Sequence, residues 1–117
     1  MREAIRLFVG FEAITFIAAA LVHFGVLTDG YEHQKAAIAE STIAIVLGLG
    51  FASSLIMPER TRALGIAAQG FALLGTLVGV FTIAVGVGPR TVLDIAYHIG
   101  IMLVLVLGLS VAVRAPS

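Results

Sequence analysis

Four long apolar runs, separated by short polar breaks, dominate the chain: residues 7–27, 36–57, 63–87 and 92–113. Each holds about 20 residues or slightly more, and about 20 residues at ~1.5 Å each cross a ~30 Å hydrocarbon core. With their polar flanks they predict helices over about 5–27, 32–57, 62–87 and 92–113 in a single domain, 1–117.

The breaks carry turn and cap chemistry. Thr28-Asp29-Gly30 is a turn signal after the first run. Pro58 ends the second run at the preceding residue and is suited to open the next helix. Gly88-Pro89-Arg90-Thr91 closes the third run, and Thr91 is a candidate N-cap for the fourth. Connections this short make neighbours antiparallel, so the expected fold class is an all-α, up-down-up-down transmembrane bundle.

Composition sharpens this picture. Sixty per cent of the residues are hydrophobic against 12% charged, with a mean hydropathy of +1.11. So few charges cannot cover a water-exposed surface, whereas a lipid-facing one needs none. The lipid bilayer is therefore the expected partner. Formal net charge is zero, which sets nucleic-acid binding aside. The absence of cysteine excludes disulfides, thiolate metal sites and iron–sulfur clusters. The start, Met1 to Arg6, has the charge of a signal-peptide n-region. The apolar stretch behind it is too long and carries Glu12, so it reads as a retained helix.

Basic residues set the orientation. Arg2, Arg6, Arg60, Arg62 and Arg114 fall at one end of the bundle, and Lys35 and Arg90 at the other. This bias places both termini in the cytoplasm of a multi-pass protein of the inner (plasma) membrane.

Polar side chains inside a membrane need a partner or a water path, so their depth is informative. Alternating helix directions put His23, Glu40 and His98 in an outer layer, with His33, Asp94 and Tyr97 beside it and Thr82 near its level. Glu12 and Gln69 form a sparser inner layer. Glu12 and His23 lie about three turns apart, His33 and Glu40 about two, and Asp94 and His98 about one. Each helix thus turns its polar groups to one side.

The outer layer fits several chemistries. His23, Glu40 and His98, with His33 as a fourth group, suit a divalent metal ion. Asp94 would then orient the second nitrogen of His98, with Tyr97 and Arg90 close by. His23 and His98 also suit the axial positions of haem b, with Arg90 and Lys35 for its propionates. A proton- or cation-coupled transporter or channel subunit would use Glu12 and Glu40. In the inner layer, Glu12 is either a proton or cation site or a structural group bonded to Gln69. A structural or accessory subunit of a larger membrane complex, its histidines serving as hydrogen-bonding groups at helix contacts, is the third reading. Whether the protein is an enzyme stays open. Ser53, Ser54 and Ser110 lack a histidine at their depth, so no hydrolytic nucleophile stands out.

Small residues mark a stripe on the third helix: Ala68, Ala72, Gly75, Gly79, Thr82 and Gly86. Such a stripe lets another helix approach closely, within the chain or at a homo-oligomer or complex seam through Gly75 and Gly79. From Ala67-Ala-Gln-Gly-Phe71 through Gly75-Thr-Leu-Val-Gly79, then Gly88-Pro-Arg-Thr91 and Asp94-x-x-Tyr97-His98, the chain resembles an uncharacterised family of small bacterial four-helix integral membrane proteins. That resemblance implies no activity. The layout also loosely resembles DoxX-like proteins and small multidrug transporters. Glu12 lacks the surrounding aromatic and small-residue pattern of the latter, and no functional residue is carried over from either.

Overall fold

The computed structural model describes all residues, 1–117, and contains four long helices and no strand: α1 Arg2–His23, α2 Gln34–Ile56, α3 Thr61–Ala84 and α4 Val92–Arg114. Each is long and apolar enough to cross a membrane. The protein is a four-helix membrane bundle.

Helix ends follow local chemistry. α1 stops at His23, four residues before its apolar run does, because Gly25 takes φ +77° and its N–H caps Val22 O. Val26 and Leu27 then fold back as a loop, which hydropathy alone read as helix. α3 ends in the same way, at Ala84 instead of residue 87, ahead of Gly86 at φ +85°. α2 begins behind His33, whose Nδ1 accepts the Ala36 N–H at 3.2 Å. A single 3-10 turn, Pro58–Arg60, leads into α3. α4 opens with a full capping box between Thr91 and Asp94.

The helices form a ring in which neighbours pack along their length and α1 also touches α3 across the diagonal. The second diagonal, α2 to α4, stays open. The core between them is Ile5, Val9, Phe16, Ile43, Leu47, Ile101 and Leu105 with alanines filling in. Outside it the bundle is apolar: Leu7, Ile56 and Val92 are each more than 70% exposed, as lipid contact demands. Both termini and the α2–α3 turn share one end, the basic end. There Arg6 donates from α1 to Ser54 O at 2.6 Å and to the Ser54 hydroxyl at 3.3 Å, and pairs with Glu3 at 2.8 Å.

The small-residue stripe of α3 is used inside the chain. A Cβ on Gly75 would meet Ile43 of α2 at 2.8 Å, and one on Gly79 would meet His98 of α4 at 3.1 Å.

Candidate functional site

At the loop end, α1 finishes with a histidine aimed into the bundle. His23 is 4% exposed, and both ring nitrogens are taken: Nδ1 lies 2.8 Å from Glu40 Oε2 and Nε2 lies 2.8 Å from Asp94 Oδ1. One imidazole therefore joins the two helices of the open diagonal. Each nitrogen–oxygen line needs one proton, on the ring or on the carboxyl, so the three groups share two. Asp94 is further held through Oδ2 by the Thr91 hydroxyl and by the Thr91 N–H at 3.1 Å. Glu40 has no protein partner other than His23.

Asp94 plays a different part from the one expected. Its carboxylate reaches across the bundle to His23, and its backbone carbonyl accepts the Nδ1–H of His98 at 2.7 Å. The Nε2 of His98 is left as a lone pair without a partner, beside Gly79. His33 is also committed elsewhere: Nδ1 caps α2, and Nε2–H donates to Val87 O at 3.2 Å, tying the α1–α2 and α3–α4 loops together. Arg90 is exposed on the α3–α4 loop, away from this cluster.

Beside Glu40 lies a cavity of about 170 Å³ lined by α2, α3, α4 and the α3–α4 loop, with Phe16 of α1 also on its wall. Glu40, His98, Thr76 and Thr82 line it, Tyr97 stands at one side, and Lys35 is at its exposed rim. Thr76, absent from the sequence expectations, could have been flagged as a polar residue in an apolar run. The Tyr97 hydroxyl is buried and makes no hydrogen bond, and its ring packs edge-on against Phe16 and His98.

No family model, curated protein or solved structure matches the chain.

The site's geometry gives no support to the divalent-metal and haem b expectations. No three His, Cys, Asp or Glu side chains are arranged to hold a metal ion. The physical reason is that His23 spends both nitrogens on carboxylates and His33 spends both on the backbone, so neither has a lone pair to give. Asp94, expected to orient His98, bonds His23 directly instead.

The inner layer is assembled from three helices. Glu12 of α1 and Gln69 of α3 are both wholly buried and converge on Gly108 of α4. A Cβ at Gly108 would collide with Gln69 Oε1 and lie 2.8 Å from Glu12 Oε1. Gln69 Nε2 donates to Gly65 O at 3.1 Å. Both oxygens of Glu12 and the Oε1 of Gln69 have no partner. With Glu12 ionised, these three oxygens are acceptors without a donor; a proton on Glu12 would supply one.

Proposed function

We propose that the protein is a proton-coupled carrier of a small solute, a transporter or transporter subunit of the bacterial inner membrane with its basic end in the cytoplasm. One observation carries this reading: Glu12 lies wholly buried in mid-bundle with neither oxygen satisfied, and the Gln69 Oε1 that converges with it on Gly108 is likewise without a partner. An unpartnered carboxyl at that depth costs stability and calls for a use. Glu12 stands eleven residues, or about 16 Å along α1, below the Asp94–His23–Glu40 chain. Titratable groups at two depths, the upper set bordering a cavity, are what proton-coupled movement of a solute requires.

Proteoliposomes loaded with a pH-sensitive dye test it. An imposed potential is expected to drive proton entry through the wild-type protein, and Glu12→Gln is expected to abolish that entry. Glutamine keeps the volume and supplies an N–H donor to Gln69, so the bundle keeps its packing. Equal proton entry in wild type and Glu12→Gln, or none above empty liposomes in either, would remove this reading.

A further inference from the structure

The cavity beside Glu40 has an unusual inventory of hydrogen-bonding groups. The Thr76 hydroxyl donates to Ala72 O at 2.8 Å and the Thr82 hydroxyl donates to Gly79 O at 2.7 Å. Each hydroxyl has one proton, so both present only lone pairs to the cavity. His98 has given its Nδ1–H to Asp94 O, which leaves Nε2 as an acceptor. Glu40 has one oxygen held by His23 and the other without a protein partner. His33, on the same wall, has no free N–H. The polar wall is therefore made of acceptors: one carboxylate, one imidazole nitrogen and two hydroxyl oxygens. The Tyr97 hydroxyl is buried, and the only free N–H donors on the lining belong to Lys35 at its exposed rim. The remaining surface is apolar, from Phe16, Ile43, Val78 and Ile101.

A ligand matches such a wall when it brings the donors and the positive charge itself. Water or an alcohol brings too few donors, and an anion would face Glu40. An ammonium group has three N–H donors and a full charge, and a short alkyl tail would lie on the apolar side. About 170 Å³ admits only a small molecule. We propose that the cavity is a binding site for a small primary alkylammonium ion, whose N–H groups reach Glu40 and His98. This names the solute class of the carrier proposed above and rests on that reading only for the statement that the solute is moved; binding stands by itself.

Lys35 at the rim bears the same kind of head group and makes no ion pair. It repels an arriving cation, so its removal is expected to tighten binding.

The test is calorimetry on full-length protein in lipid nanodiscs at neutral pH, with n-butylammonium as the probe. Tetramethylammonium, with the charge but no N–H, and n-butanol, with the tail but no charge, are the controls. n-Butylammonium is expected to bind at least about tenfold more tightly than either, as hydrogen bonds to charged groups imply. Glu40→Gln is expected to weaken it at least about tenfold. Gly79→Ala, whose Cβ would stand 3.1 Å from His98 Nε2 and crowd that acceptor, is expected to weaken binding, and Lys35→Gln to strengthen it several-fold. Circular dichroism shows whether each variant is folded. If Glu40→Gln is unfolded, Thr76→Val, which removes one acceptor at constant shape, decides in its place by a measurable weakening. Equal affinity for tetramethylammonium, or unchanged affinity in the folded variants, overturns the proposal. Glu12-dependent proton entry without n-butylammonium binding would overturn this assignment and leave the carrier reading standing. Binding without proton entry would do the reverse.

Discussion

His23→Ala is expected to lower the stability of the bundle by about 3–5 kcal/mol, the usual cost of removing one partner from a buried charged group. The expectation comes from what the substitution leaves behind. Glu40 and Asp94 are each at most 6% exposed, and without the imidazole Glu40 has no partner at all. Asp94 keeps its two contacts to Thr91. The two helices of the open diagonal also lose the side chain that hydrogen-bonds to both. Unfolding in lipid nanodiscs, followed by circular dichroism, measures the loss. Adding Glu40→Leu and Asp94→Asn to His23→Ala is expected to recover most of it, because the cost lies in stranded charge and not in lost volume. A loss under about 1 kcal/mol in the single variant, the size of an exposed pair, would mean that the cluster is solvated.

Glu12→Leu is expected to move stability the other way. Three acceptors without a donor are an expense to the fold, and leucine removes two of them at similar volume. Gln69 keeps its bond to Gly65 O, so nothing new is orphaned on the nitrogen side. A gain of about 1–3 kcal/mol follows, together with complete loss of proton entry in the liposome assay. A variant that is more stable and inactive is the signature of a residue kept for function. A variant less stable than wild type by a similar amount would instead make the Glu12 carboxyl a structural contact.

The helices were legible because a lipid solvent writes them plainly: four apolar runs of spanning length give four helices. Their ends were less so. Val26, Leu27, Val85 and Val87 are as apolar as any helical residue, and only the positive φ at Gly25 and Gly86 shows where the chain turns. The depth of His23, Glu40 and Asp94 followed from counting along each helix. Their partnership did not, because counting within a helix says nothing about how one helix is rotated against the next. So spacing along α4 pairs Asp94 with His98, four residues on, where the fold gives it His23, 71 residues away. The direction of the threonine hydroxyls was equally hidden. A threonine in an apolar helix reads as a donor until its proton is found on its own backbone.

The spacing of the two His23 contacts also bears on how the chain enters a membrane. Glu40 is 17 residues from His23, within the first helical hairpin, whereas Asp94 is in the last helix. α1 and α2, the most closely packed pair, therefore enter with their deepest outer charge already matched. Asp94 enters with Thr91 alone to hold it, and finds its histidine only when α4 closes the ring. Assembly is then checked by charge at its final step: a hairpin that has inserted without its second half presents His23 with an unfilled nitrogen, and only the complete chain fills it.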